Sequence, residues 1–147
     1  MSATSGEAAR PLVLHASCVA LSGRGVLILG AAGRGKSSLA LQLMAYGCDL
    51  VSDDRTALAA EGGKLIAAAP ARIRGLIEAR GVGILAADAI AAARLALVVD
   101  LDREETDRLP PLRRHVLLGV SLPLLHGIES HHFPAAILQY LKAGRAE

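Results

Sequence analysis

The residues best suited to chemistry begin with Gly30-Ala31-Ala32-Gly33-Arg34-Gly35-Lys36-Ser37, an octapeptide that reads G-x-x-x-x-G-K-S. Glycines at these positions let the backbone wrap around an anion with its N–H groups pointing inward. A lysine there reaches β- and γ-phosphates, and the adjacent serine hydroxyl suits Mg²⁺. From the chain's own Gly, Lys, Ser and Thr frequencies, a chance match is expected roughly two times in a thousand. The octapeptide is therefore read as a phosphate-binding loop for ATP or a related phosphate donor.

A cradle for phosphate does not say where the phosphate goes. Asp53 and Asp54 close the segment "CDLVSDD". Adjacent residues at a strand end point in opposite directions, so one carboxylate can face the phosphate while the other packs or binds metal. Either can accept a hydroxyl proton during in-line transfer. Glu78 is a candidate second Mg²⁺ contact beside Ser37 and Asp53. His15 lies fifteen residues before Gly30, in the segment expected to pair beside the loop strand. The strand pattern alone reads it as structural. His126, His131 and His132 lack the cysteine partners or HxxxH spacing of a zinc site. Cys18 and Cys48 lack CxxC spacing and are read as reduced core residues.

These side chains need elements to hold them. The run "GVLILG" entering the phosphate loop is a strand, and "SSLALQLMAYG" after it has helical spacing with Gly47 as its stop. "PLVLHASCVAL" is extended and, across "SGRG", forms a hairpin with the loop strand. "CDLVSDD" is a buried strand, and "TALAAEGGKLIAAAP" is a second hairpin turning at Gly62-Gly63. "ARIRGLIEARGVGIL" shows no clean period and is read as a functional loop. "RLALVVDLD" and "HVLLGVSLPLLHGI" are each read as a strand, with the charged "REETDRLPPLRR" exposed between them. "PAAILQYLKAG" is a closing helix with Pro134 at its start. Without repeats or linkers, this is one mixed α/β domain over residues 11–147 behind a frayed N-terminus over residues 1–10.

Composition narrows the function classes. Apolar residues make up 52% and charged residues 20%, which fits a globular chain rather than a disordered one. Aromatics are 2% and net charge is +2, which argues against a stacking platform or basic footprint for nucleic acid. No apolar run reaches transmembrane length and no basic segment precedes a cleavable apolar one, so a cytoplasmic protein is expected.

In order along the chain, "HASCVAL", "GVLILGAAGRGKSSLAL", "LVSDDR" and "IRGLIEARGVGIL" resemble the catalytic domain of bacterial HPr kinase/phosphorylase, in a short form without the separate N-terminal domain. The last segment resembles the family signature, Glu-x-Arg-Gly ahead of a Gly-rich stretch. The likeness runs from about residue 12 to residue 126. It implies a phosphoenolpyruvate-carboxykinase-like α/β fold, an oligomer, and ATP-dependent phosphorylation of a serine on HPr, a phosphocarrier of sugar and nitrogen phosphotransferase systems. It further implies that Lys36 and Ser37 hold phosphates and Mg²⁺, with Glu78 as the other metal contact. Asp54 would be the base for the serine proton, and the acid in reverse. His15 would lie against Asp54 and tune it, Arg80 would position the reacting groups, and Arg108 would be a further catalytic arginine.

Three departures stand out. Ser38 replaces an acidic residue usual after the Lys-Ser pair, and Ala79 replaces a branched aliphatic. Where the family carries an arginine- and proline-rich segment tied to dephosphorylation, this chain reads "LPLLHGIESHHFPAA", without arginine. The kinase direction is thus implied more fully than the phosphorylase direction. Two other classes stay open on the residues alone: a small-molecule kinase using the same loop, and a nucleotide-sensing module that binds ATP without transferring phosphate.

Overall fold

The computed structural model describes residues 11–147; the expected frayed segment 1–10 lies outside the described residues. Eleven strands appear in chain order: β1 (Leu12–Leu14), β2 (Ala16–Leu21), β3 (Arg24–Leu29), β4 (Asp49–Ser52), β5 (Thr56–Glu61), β6 (Lys64–Ala68), β7 (Leu76–Ala79), β8 (Gly83–Ala86), β9 (Ala93–Glu104), β10 (Arg113–Leu117) and β11 (Val120–Gly127). Among the described residues, two α-helices, α1 (Lys36–Ala45) and α2 (Phe133–Ala143), accompany them, with a 3-10 turn at Ala71–Ile73.

Nine strands form one sheet in the order β1-β5-β6-β9-β3-β2-β4, with β11 also on β9 and β10 on β11. The long β9 is the hub. It runs parallel to β3 from Arg94 to Asp100. On its other edge it pairs first with β6 through Ala93 and Arg94, then with β11 from Val98 onward. The register between β3 and β9 skips Ala96, because Gly25 faces Leu95 whereas Val26 faces Leu97. That bulge re-aims β9 before it reaches the phosphate loop.

Strand alternation divides the core between the two faces of the sheet. Val26 and Ile28 of β3, Val19 of β2, and Leu97 and Val99 of β9 pack with Leu39 and Leu43 of α1 and Ile137 and Leu141 of α2. Leu27, Cys18, Ala20 and Val98 face the other way, against Leu58, Leu65 and Leu122. Both cysteines are free and buried as expected. Burial drives the Cys18 thiol far above its usual range, and burial followed by the Asp49 charge pushes Cys48 up to about 11. Neither is a thiolate at neutral pH.

The β2–β3 and β5–β6 hairpins form where expected. Gly47, at φ +110, follows α1, and Pro134 stands in the first turn of α2. Two expectations need correcting. "ARIRGLIEARGVGIL" is not a loop: after the 3-10 turn it forms the β7–β8 hairpin, pairing Leu76 with Ala86 through Ala79 with Gly83. Its inward positions, Ile77 and Ala79, are buried, and Ile77 packs into the α1 side of the core. "HVLLGVSLPLLHGI" is not one strand but the greater part of the β10–β11 hairpin, which turns at Leu118-Gly119 with both residues at positive φ. Among the described residues, no helix is long and apolar enough to cross a membrane.

Candidate active site

β3 delivers the chain into the phosphate loop, and α1 carries it away. Gly33 (φ +85) and Gly35 (φ +98) take the left-handed turns that a side chain would resist, and Gly35 caps α1 without a side-chain bond. The first amides of α1 have no acceptor within the helix and aim with its dipole at the loop. Lys36 is buried, and its ammonium donates to the carbonyls of Gly30 (2.7 Å) and Ala31 (3.3 Å). The amide of Ala31 donates to Asp102 Oδ1 at 3.0 Å, and Arg34 Nε stands 3.3 Å from the same oxygen. The base of the loop is thus tied to the end of β9.

β4 ends at Ser52 and hands its two carboxylates opposite surroundings. Asp53 is buried. Its Oδ1 accepts the hydroxyls of Ser17 (2.8 Å) and Ser37 (2.6 Å), and its Oδ2 accepts the Glu78 amide (3.0 Å). One carboxylate therefore braces β2, the start of α1 and β7 together. Asp54 is exposed and sits at φ +70, a left-handed conformation that Asp tolerates better than most residues. Its amide donates to Ser17 Oγ at 3.1 Å, and its Oδ1 lies 2.5 Å from His15 Nε2. His15 occupies the bend between β1 and β2.

A pocket of about 320 Å³ opens among these elements, lined by Ala32, Gly33, Gly35, Lys36, Ser37 and Ser38 from the loop and α1, and by Asp54, Glu78 and Arg80. The structure thus gathers most of the residues singled out in the sequence: the phosphate loop, Asp54 with His15 behind it, Asp53 beneath Ser37, and Glu78 and Arg80 from the hairpin. Arg108 is not brought there, because it lies exposed between β9 and β10 and does not line the pocket. The three histidines are also apart in role. His126 Nδ1 is 3.8 Å from Glu105, and His132 Nδ1 shares a 2.6 Å hydrogen bond with the Ser130 hydroxyl. Glu105 is gripped by two 3.0 Å bonds from Arg113, which hold its carboxyl well below the usual range, at about 2.

The oxygen set fits a hard cation. Ser37 Oγ spends its hydrogen on Asp53 and keeps its lone pairs, and Glu78 lines the same pocket. Among the described residues no group of three or more His, Cys, Asp or Glu could cage a metal. Mg²⁺ is content with such a partial set, since it takes one or two protein ligands and fills the rest with water and phosphate oxygens.

Two residues escaped the sequence reading. Ser17 lies one step along β2 from Ala16, and its hydroxyl joins Asp53 to the backbone of Asp54. Asp102 anchors Ala31. The signal for Asp102 was present in "RLALVVDLD", an apolar strand whose end presents carboxylates at alternate positions.

Asp53→Ala would leave two hydroxyls and one amide without their acceptor. The hydroxyls can rotate toward other partners, but the Glu78 amide cannot. We expect unfolding stability to fall by about 2–4 kcal/mol, read as a lower urea midpoint. An unchanged midpoint would show that Asp53 is not the brace.

The chain is also similar to known proteins. Residues 7–113 match the family model described as HPr Serine kinase C-terminal domain. A protein named HPr kinase/phosphorylase from Caldicellulosiruptor bescii is 36% identical over 132 residues, covering 81% of this chain and 42% of its own length. Its namesake from Brevibacillus brevis is 44% identical over 73 residues, 49% of this chain and 24% of its own. The chain thus spans less than half the length of these curated relatives. Among solved structures, the Hpr(Ser) kinase/phosphatase from Coxiella burnetii superposes with a TM-score of 0.77 at 28% identity, covering 89% of this chain and 94% of the other.

Proposed function

Since the chain belongs to the HPr serine kinase C-terminal domain family, we propose that it transfers the terminal phosphoryl group of ATP to a serine hydroxyl of the phosphocarrier HPr. The observation that carries this reading is the juxtaposition of a phosphate loop and an exposed carboxylate, Asp54, on one pocket. The curated relatives bear the name of the same activity.

In this reading the loop amides and Lys36 hold the phosphates, and Ser37, Asp53 and Glu78 would hold Mg²⁺. That ion, when bound, neutralises charge on the phosphate oxygens. Asp54 orients the incoming serine hydroxyl and takes its proton as the serine oxygen bonds to phosphorus and the bridging oxygen leaves with ADP. His15 fixes the Asp54 carboxylate toward the pocket. Arg80, on the pocket wall, pairs with a phosphoryl oxygen during transfer. A phosphoenolpyruvate-carboxykinase-like fold, an oligomeric assembly, a cytoplasmic setting and a role in phosphotransferase regulation belong to the same reading. Arg108 is left without a role in the pocket of its own chain.

The test is a mass spectrum of purified HPr after incubation with this protein, Mg²⁺ and ATP. The expected result is one added phosphate on a serine. Unchanged HPr, with ATP binding measured separately, would overturn the kinase reading and leave a nucleotide-binding module.

A further inference from the structure

β9 outruns its parallel neighbour. Its last pair with β3 is Asp100 with Leu29, and it continues to Glu104 where β3 has given way to the phosphate loop. Asp102 stands in that overhang, two residues past Asp100. Its amide donates to Asp100 Oδ1 at 2.9 Å, and Asp100 has a cation of its own, Arg103, at 3.8 Å.

The loop presses closely on this overhang. A Cβ at Gly30 would come within 3.2 Å of Arg34 Cβ and 3.3 Å of Leu101 Cβ. Ala31 is held at both ends. Its amide donates to Asp102 Oδ1 (3.0 Å), and its carbonyl accepts the Arg34 amide (3.1 Å) and the Lys36 ammonium (3.3 Å). The same Asp102 oxygen faces Arg34 Nε at 3.3 Å. Arg34 is thereby turned aside: Ala32, Gly33, Gly35, Lys36 and Ser37 all line the phosphate pocket, whereas Arg34 lines the adjoining cavity.

One carboxylate thus carries two separable tasks. Accepting the Ala31 amide needs an oxygen lone pair and no charge, while holding a guanidinium needs the charge. An unpaired cation beside the loop would attract every polyphosphate, donor and spent nucleotide alike. Uniform binding of that kind lowers KM without raising kcat.

We propose that Asp102 is a positioning residue of the phosphate loop: its oxygen fixes Ala31, and its charge holds Arg34 away from the pocket and cancels it. This rests on reading the loop as an ATP site, and it adds a control on how tightly that site holds nucleotide.

The test is calorimetry of ATP and ADP, each with Mg²⁺, on the full chain at low and high salt, beside steady-state transfer to HPr. Asp102→Asn keeps an oxygen for Ala31 and gives up the charge. It should tighten both nucleotides about three- to tenfold and lower KM for ATP, with no gain in kcat. Arg34→Ala leaves the carboxylate uncompensated and should weaken both by a similar factor, the opposite sign. Asp102→Ala gives up the acceptor as well, and should bind ATP about tenfold more weakly than Asp102→Asn. Side-chain exposures of 58% for Arg34 and 46% for Asp102 mean that the two charge effects should shrink at high salt, which a packing defect would not do. Asp102→Asn binding nucleotide no tighter than wild type, or both charge variants moving affinity in the same direction, would overturn this role and leave the loop standing. Wild type that binds neither nucleotide would sink the loop reading and Asp102 with it. Calorimetry decides the role without the transfer assay, so unphosphorylated HPr would count against the kinase reading alone.

Discussion

Asp54→Asn should lower phosphoryl transfer to HPr by about a hundredfold or more while leaving ATP affinity within about twofold of wild type. The substitution is chosen because almost everything but the proton acceptor survives it. Asparagine has the same shape, and it tolerates the left-handed backbone (φ +70) that position 54 adopts. The backbone amide of residue 54 keeps its bond to Ser17 Oγ. The side chain is exposed, so no buried charge is lost. What disappears is a carboxylate oxygen able to take a hydroxyl proton; an amide oxygen is far too weak a base. Serine is a poor nucleophile at neutral pH, so the loss falls on the chemical step. Single-turnover transfer and ATP calorimetry on the same preparation separate the two quantities. Transfer at the wild-type rate would show that the base is another group. An equal fall in ATP affinity would move Asp54 from the transfer step to donor binding.

How much of this was legible beforehand depends on what each segment displays locally. The strand–loop–helix around Lys36 was readable because its signals agree: an unbroken apolar run, glycines where the backbone must reverse, then helical spacing. The Gly62-Gly63 hairpin was equally open, since its turn residues announce themselves. The β7–β8 hairpin was not. Its alternation is Leu76 and Glu78 outward against Ile77 and Ala79 inward, and a small alanine hardly registers as a buried position. The turn at Leu118-Gly119 was hidden for a different reason. Leu118 adopts φ +48, a conformation its sequence gives no hint of, so two strands read as one.

The site shows the same division. That Asp53 and Asp54 would part company followed from strand geometry, but which one faces inward did not. That choice is made by Ser17 and Ser37, residues 36 and 16 positions away, whose hydroxyls converge on one oxygen of Asp53. Long-range convergence leaves no periodic mark in a sequence. The resemblance carried Asp54, His15 and Glu78 where local pattern alone left them undecided. It carried Arg108 as well, and there the chain's own pocket does not receive it.

Lys36→Ala tests the other half of the site, and its signature should differ from that of Asp54→Asn. The ammonium is buried and bonded to the carbonyls of Gly30 and Ala31, so it is positioned by the loop before any ligand arrives. Charge-assisted bonds of this kind are each worth about 1.5–3 kcal/mol, which places the loss of ATP affinity at about ten- to a hundredfold. Transfer should fall further than binding, because negative charge shifts onto the leaving oxygen in the transition state and Lys36 stands where it can answer that shift. The fold should hold. Alanine is the strongest helix former at the start of α1, and the exposed loop lets water replace the ammonium on the two carbonyls. Calorimetry with ATP, single-turnover transfer and a urea midpoint give the three readings. ATP affinity equal to wild type, with the midpoint unchanged, would mean that the glycine-rich turn is not a phosphate site at all. A loss in both binding and transfer, beside a loss in transfer alone at Asp54, would divide the pocket as proposed: a loop that holds the phosphates, and a carboxylate that receives the proton.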